Sequence, residues 1–272
     1  MSAPPDDAPF PLGSVQAVAT RAWELCLRED PVGLLGIPFL ISFPVYVFLT
    51  ILGELIRHPE SIPEEKSLLG AVFGVLPLVV FARVFGEAWT LWRADSDAHG
   101  RHATLGETAQ HSFGRSWYLV VVMITVYVLF QIGFFFFALP GLLVAMVCSF
   151  ANQAAVLGPG RLLASLRQSR ELVEHNLKAW FGMVAYWAVV FLGLGIIVTI
   201  LRFTFERVVG GPLTFALDLV LGLPLQISLL AFTTCWTLFY RELEARRRRH
   251  LSLAHAAPAP PAQHPDMPAR AS

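Results

Sequence analysis

The chain of 272 residues contains 15% charged residues and has a mean hydropathy of +0.59. Soluble domains carry roughly 25% charged residues, so this composition excludes an ordinary soluble globular protein. Its 20 basic and 20 acidic residues give a formal net charge of zero, and the distribution of the charges along the chain is the informative quantity.

Six apolar stretches are each about as long as a bilayer is thick. About 20 apolar residues are needed for a helix to cross the hydrocarbon of a bilayer. The stretches lack the strict alternation that is typical of barrel strands, so helices are the spanning structure that fits. The predicted fold class is all-α, a polytopic membrane bundle of six transmembrane helices. The spans are predicted at residues 32–56, 67–91, 117–139, 140–158, 180–201 and 213–240.

The basic residues fall mainly in alternate connections between these stretches. Fourteen of the 20 lie in the N-terminal segment, the second and fourth connections and the segment after the last span, and four lie in the first and fifth connections. The positive-inside rule therefore places both termini in the cytoplasm and predicts a multi-pass protein of the cell membrane.

A helix is predicted on the cytoplasmic side before the first, third and fifth spans. Val15, Ala19, Ala22 and Cys26 share one helical face before the first span. Thr104 and Glu107 have the spacing of a capping box before the third span. Before the fifth span an apolar stripe opposes a charged face, with Leu162, Leu166, Val173 and Leu177 in the stripe and Arg167, Arg170, Glu171 and Glu174 opposite.

Two interpretations of this pattern remain open. The chain is built from three repeats of an amphipathic helix and a membrane hairpin, or its inner loops are amphipathic simply because they lie on a membrane. In either case residues 14–249 form the six-helix membrane domain. Residues 1–13 are rich in proline and lack a basic n-region, so no signal peptide is predicted there. These residues and the Pro/Ala-rich tail at 250–272 are predicted to be disordered.

Several short motifs resemble a bacterial family of membrane domains. The motifs are Leu139-Pro140-Gly141, the small-residue stretch 151–157, the run 163–172, the segment 21–25 and the closing segment 238–241. They are similar to the membrane domain found with some glycerophosphodiester phosphodiesterases and to the related YciC-like integral membrane proteins. The resemblance implies six helices and a cytoplasmic-membrane location, and it transfers no activity. An acidic residue that this family often carries before the serine-containing helix is replaced here by Leu157-Gly158-Pro159.

Arg83, Glu87 and Asp218 are the candidate intramembrane polar site. Arg83 and Glu87 stand at positions i and i+4 of the second span, where an isolated charge costs several kcal/mol, so they are predicted to pair. Asp218 is a candidate partner for Arg83, Arg57 or Arg207. These residues either line a pathway for an anion or a proton or form structural ion pairs that hold helices together.

The basic run Arg246, Arg247, Arg248 and Arg249 follows the last span. Such a run is worth about 1 kcal/mol per charge toward anionic headgroups, and it also acts as a topological anchor. The run is therefore a candidate contact for anionic lipid.

No catalytic, metal-binding or cofactor motif is recognised in the sequence. It has no Gly-rich phosphate loop, His-Glu-x-x-His helix or Cys-x-x-Cys pair, and the five histidines of the loops and approach helices are scattered. We expect a non-enzymatic membrane protein without a cofactor, a scaffold or accessory of envelope or lipid processes. Its expected partners are the bilayer, anionic headgroups and a protein at the cytoplasmic face, and no nucleic acid. The alternative is a small transporter or channel that uses Arg83, Glu87 and Asp218.

Overall fold

The computed structural model describes residues 15–57, 65–136, 138–158, 160–206 and 213–256, and these residues contain helices and no β-strand. The predicted disordered segment 1–13 lies outside the described residues, as do residues 257–272 of the predicted tail. The α-helices are α1 (Val15–Glu24), α2 (Ile37–Arg57), α3 (Glu65–Ala98), α4 (Leu105–Phe136), α5 (Ala138–Val147), α6 (Ala151–Leu157), α7 (Leu162–His175), α8 (Leu177–Glu206) and α9 (Leu213–Ala256).

Six helical stretches are long and apolar enough to cross a membrane, which confirms the predicted all-α membrane bundle. They are Val32–Gly53, Gly74–Ala98, Leu105–Phe136, Ala138–Leu157, Leu177–Phe205 and Ala216–Arg249. Each overlaps one of the predicted spans. The chain is therefore a multi-pass membrane protein.

The approach segments differ in how they join the spans. Two π-helical turns, Leu25–Glu29 and Val32–Gly36, link α1 to α2. The capping box before the third span is formed, since the Thr104 amide donates to Glu107 Oε2 at 2.7 Å and the Glu107 amide donates to Thr104 Oγ1 at 3.2 Å. The predicted short helix there is the first part of α4, because no proline separates it from the span.

Before the fifth span, α7 is a separate helix, and its buried face coincides only in part with the predicted stripe, of which Val173 is buried. Ser165, Ser169, Leu172 and Val173 are buried, whereas Leu162 and Leu166 are half-buried. The serines lie inside because they find polar partners there: Ser165 Oγ is 3.3 Å from the Tyr118 hydroxyl of α4, and Ser169 binds main-chain groups next to α5, as described below. The last helix, α9, continues to Ala256 and so includes residues 250–256, the first seven of the predicted disordered tail. Residues 250–256 contain neither glycine nor proline and so permit the helix to continue.

The buried core lies toward one end of the bundle. We call this the inner end: the end at which α3 finishes, α4 begins and α9 leaves the membrane. Buried apolar side chains concentrate in α1, in the last turns of α3 and in the last third of the span of α9. Large apolar side chains elsewhere, such as Leu78, Phe135 and Leu192, are exposed on the surface that the membrane covers. The inner end is thus packed like the core of a soluble protein, whereas lipid covers the apolar side chains of the rest of the bundle.

Candidate functional site

The structure does not bring the three predicted intramembrane residues together. Glu87 Oε1 accepts a hydrogen bond from Asn152 Nδ2 at 2.7 Å, which joins α3 to α6. Arg83 is half-buried, and within the described residues it forms no ion pair with Glu87 or with another acidic side chain. The partner of Glu87 is thus the Asn152 side chain of a neighbouring helix, whereas the sequence predicted Arg83, four residues earlier in the same helix.

Asp218 belongs to a different part of the bundle. Its Oδ2 lies 3.2 Å from Arg202 Nη2 of α8, and its main-chain oxygen accepts a hydrogen bond from the Tyr46 hydroxyl at 2.7 Å. Among the described residues Arg202 is an ion-pair partner of Asp218 that was not predicted from the sequence. Of the three predicted candidates, Arg207 and the side chain of Arg57 lie outside the described part of the structure. An open cavity of about 420 Å³ lies beside this pair, between α2, α8 and α9.

Helix geometry separates Asp218 from Arg83 in depth. Both α3 and α9 run toward the inner end, where Asp95 of α3 contacts Arg241 of α9. Asp218 precedes Arg241 by 23 residues and Arg83 precedes Asp95 by 12. At 1.5 Å of rise per residue, Asp218 lies roughly 16 Å nearer the other end of the bundle. The described residues therefore contain no continuous polar path through these three side chains.

The main charged cluster of the described residues lies at the inner end. We call it the inner ion-pair network, and its members are Asp30, Arg93, Asp95, Asp97, Arg241 and Glu244. Its first part is a two-point ion pair: Arg241 Nε is 2.6 Å from Asp95 Oδ1, and Arg241 Nη2 is 2.8 Å from Asp95 Oδ2. The Asp95 side chain is fully buried. Arg241 Nη1 also donates to Glu244 Oε2 at 2.7 Å.

The second part of the network is centred on Arg93. Its Nε lies 2.6 Å from Asp30 Oδ2 and 3.3 Å from Asp97 Oδ2, and its Nη1 donates to the main-chain oxygen of Ala103. Asp30 Oδ1 in turn accepts from the Gly33 amide at 3.0 Å. The guanidinium thus joins the start of the first span to the end of the second.

Glycine at position 33 leaves room for the Asp30 carboxylate. A Cβ atom at this position would collide with that carboxylate, which would then have to move. The Gly33 carbonyl also accepts a hydrogen bond from Trp89 Nε1 at 2.9 Å. Both main-chain polar groups of Gly33 therefore hold the π-helical link against the network and α3.

Histidine lies at the edge of the network. His99 Nδ1 is 3.4 Å from Asp95 Oδ1 and 2.7 Å from the Asp95 main-chain oxygen. Its hydrogen bond to the Asp95 side chain raises the pKa of His99 above its ordinary value of 6.5. The next histidine, His102, is mostly exposed. The negative field of Asp95 therefore favours a protonated His99.

The fourth span contains a break, and side chains from three other helices form hydrogen bonds to the residues of this break. Helix α5 ends at Val147 and α6 begins at Ala151, which frees main-chain groups inside the bundle. Ser169 Oγ donates to the Val147 oxygen at 2.6 Å and accepts from the Phe150 amide at 3.0 Å. Trp180 Nε1 donates to Ser149 Oγ at 2.9 Å, and Trp236 Nε1 donates to the Ser149 oxygen at 3.0 Å. Irregular backbone is tolerated at this depth because protein surrounds it.

The basic run after the last span is already engaged within the protein. Arg246 pairs with Glu242 at 2.7 Å, Arg247 with Glu171, and Arg248 with Glu244 at 3.1 Å. Arg249 Nε lies 3.5 Å from the Ala245 oxygen. A contact between this run and anionic lipid stays a prediction, and any lipid has to share these arginines with the acidic partners.

Sequence reasoning missed the inner ion-pair network. Arg93 and Arg241 are among the fourteen basic residues from which the positive-inside rule predicts the topology. The signal that identifies them is the acidic residue within four positions of each, Asp97 after Arg93 and Glu244 after Arg241, at the end of an apolar span. Among the described residues, no group of three or more His, Cys, Asp or Glu side chains has the arrangement of a metal site.

Comparison of the chain with protein-family models, with curated proteins and with solved structures finds no match.

Proposed function

We propose that this protein is a non-enzymatic scaffold or accessory of envelope or lipid processes in the bacterial cytoplasmic membrane, with both termini in the cytoplasm and its inner end presented to a protein partner. The motif resemblance to the membrane domain of glycerophosphodiester phosphodiesterases and to YciC-like proteins is part of this proposal. The observation that carries it is the inner ion-pair network.

The network supports a scaffold because it fixes the relative positions of helices that are far apart in sequence. Asp30 precedes the first span, Arg93 and Asp95 end the second, and Arg241 ends the sixth. Replacing a buried ion pair by apolar residues is often neutral or stabilising, so such a pair is better explained by specificity of arrangement than by stability. A surface that has to match a partner requires that kind of fixed arrangement.

Helix α7 is tied to the same end. Gln168 Nε2 donates to the Tyr240 hydroxyl at 2.7 Å, next to Arg241, and Ser169 binds the α5–α6 break. The inner end therefore contains the link between α1 and α2, the end of α3, α7 and the last part of α9. Its exposed groups include the charged and polar side chains of Arg101, His102 and Arg248, which a partner can reach.

A photo-reactive amino acid placed at His102 tests the proposal in growing cells. The His102 side chain is 86% exposed, and substitution there leaves the buried pairs intact. We expect a discrete adduct of higher mass from position 102. The matched control is Leu192, which is 67% exposed on α8 within the membrane and should give no protein adduct. Equal or absent adduct formation at both positions would contradict a partner at the inner end.

A transporter remains the second candidate because of the cavity beside Arg202 and Asp218. Tyr46, Thr50 and Gln226 also line it, so several polar groups converge inside a membrane span. Intramembrane ionisable residues beside a cavity often mark a substrate path. If this candidate is right, Asp218→Asn should abolish uptake of the transported anion or proton into cells or liposomes at unchanged protein level. Under the scaffold proposal the same variant retains the adduct at position 102.

A further inference from the structure

A groove with one apolar wall and one charged wall lies between α4, α5 and α7. Its volume is about 750 Å³, within the range of small-molecule sites. The apolar wall consists of Leu129 of α4, Leu143, Val144 and Val147 of α5, and Cys148 directly after α5. The charged wall consists of Arg167, Arg170, Glu171 and Glu174 of α7. This groove is separate from the inner ion-pair network and from the cavity beside Asp218.

The spacing of the charged residues explains why they share one wall. Positions 170, 171 and 174 lie three, four and seven residues after position 167, so the four side chains project from one face of α7. Arg167 Nε lies 2.9 Å from Glu171 Oε1, and Arg170 Nε lies 2.6 Å from Glu174 Oε1. Both arginine side chains are largely exposed, at 82% and 64%. Each pair engages Nε, so the terminal nitrogens of both guanidinium groups remain to donate to a ligand.

The orientation of the groove matches that of a membrane lipid. Its apolar wall belongs to the third and fourth spans, and its charged wall belongs to the helix that lies at the inner end. A ligand that fills it has an apolar part directed into the membrane and a charged part at the inner surface. A phospholipid has this construction.

The balance of charges indicates the headgroup. The wall carries two arginines and two glutamates, so it complements a headgroup with both signs better than one with negative charge alone. Glu171 is shared by Arg167 and by Arg247 of α9, whereas the ion pair of Glu174 is with Arg170. Glu174 is therefore the acid better placed to accept an ammonium group, and Arg167 and Arg170 suit a phosphate.

We propose that this groove binds a phospholipid with a phosphoethanolamine headgroup. The phosphate lies on Arg167 and Arg170, the ammonium lies on Glu174, and an acyl chain lies along Leu143, Val144 and Leu129. The site takes its lipid from the bilayer itself, whichever protein partner contacts the inner end.

Native mass spectrometry of the full chain in detergent tests this proposal, with phosphatidylethanolamine and phosphatidylglycerol titrated separately. Wild-type protein is expected to retain phosphatidylethanolamine more strongly. The double variant Arg167→Gln/Arg170→Gln should weaken that binding about tenfold, since it removes charge-assisted hydrogen bonds to the phosphate. Glu174→Gln should reduce or abolish the preference between the two lipids. The matched control Arg28→Gln/Arg161→Gln removes two arginines from exposed positions outside both the groove and the basic run 246–249, and it should leave both affinities within about twofold.

A groove-filling variant, Val144→Trp, provides a second test that leaves α7 unchanged. It should lower binding of both lipids while the protein elutes as a single species in size-exclusion chromatography. A wild-type preference for phosphatidylglycerol would overturn the proposal. So would equal losses in the groove variant and its control, or undiminished binding to the Val144→Trp variant. Because position 102 lies outside the groove, a failure here leaves the cross-linking result unaffected.

Discussion

Arg241 at the end of the sixth span and Asp95 at the end of the second form a two-point ion pair, with contacts of 2.6 and 2.8 Å, although 146 residues separate them in sequence. The Asp95 side chain is fully buried. The pair is therefore a fixed point of the inner end, and its removal has consequences that an exposed pair would not have.

Removing one partner of this pair should destabilise the protein strongly. Asp95→Asn or Arg241→Gln leaves an uncompensated buried charge, and such changes cost about 3–5 kcal/mol. We expect a large fall in the unfolding temperature of the purified protein, measured by fluorescence-detected size-exclusion chromatography after heating. The double change Asp95→Leu/Arg241→Met should cost less than either single change. Arg248→Gln, at an exposed ion pair, serves as the control and should change stability by less than about 1 kcal/mol.

Gly33→Ala should disturb the link between the first and second spans. The added Cβ would collide with the Asp30 carboxylate and push it away from Arg93. Clashes and broken buried hydrogen bonds of this kind cost about 1–3 kcal/mol. Gly36→Ala is the matched control in the same segment, because its nearest neighbour to a new Cβ is 3.8 Å away. Equal unfolding temperatures for the two variants would show that Asp30 is not held as described.

Ser169→Ala should weaken the junction of α5 and α6. The substitution leaves the Val147 oxygen and the Phe150 amide without their side-chain partner, at about 1–3 kcal/mol for each buried group. Thr125→Ala is the control, because its hydroxyl is exposed and bonds only within its own helix. Hydrogen exchange should show faster exchange at residues 147–151 in the Ser169 variant and unchanged exchange there in the control.

His99 should make stability depend on pH. Its pKa in the folded protein is raised by Asp95, so the folded state binds the proton more tightly than the unfolded state. The stabilisation is complete below the ordinary value of 6.5 and is lost as pH rises through the raised pKa. The unfolding temperature should therefore fall with increasing pH above about 6.5. In His99→Gln this fall should be smaller, and an identical pH profile would contradict the interaction with Asp95.

Arg83→Leu should have little effect on stability or should increase it. Arg83 forms no ion pair with the described acidic residues, so its removal leaves no buried carboxylate without a partner. Arg83→Leu should reach the normal protein level in the membrane, and Arg241→Gln should not. If Arg83→Leu is lost from the membrane as severely as Arg241→Gln, the prediction is contradicted, and Arg83 has a structural role beyond the ion pairs described above.

The membrane spans could be predicted from the sequence because length and apolar composition determine them locally. The break at residues 148–150 could not, because the groups that satisfy it, Ser169, Trp180 and Trp236, come from other helices. The same reason explains Glu87. A spacing of four residues indicated Arg83, but Asn152, 65 residues away, supplies the hydrogen bond. The arrangement of the candidate site depends on contacts between segments that are distant in sequence, and a local sequence pattern carries no information about those contacts.

The orientation of the inner end is the claim on which the proposed function depends most directly. Cysteine placed at His102, compared with cysteine at the exposed Thr204 near the opposite end of α8, can be tested with a membrane-impermeant maleimide. The parent protein provides the background, since its Cys26 and Cys235 are buried and Cys148 is partly buried. In intact cells we predict labelling at position 204 alone, with position 102 labelled only after the membrane is opened. Labelling of position 102 in intact cells would place the inner end outside the cytoplasm and contradict the proposal.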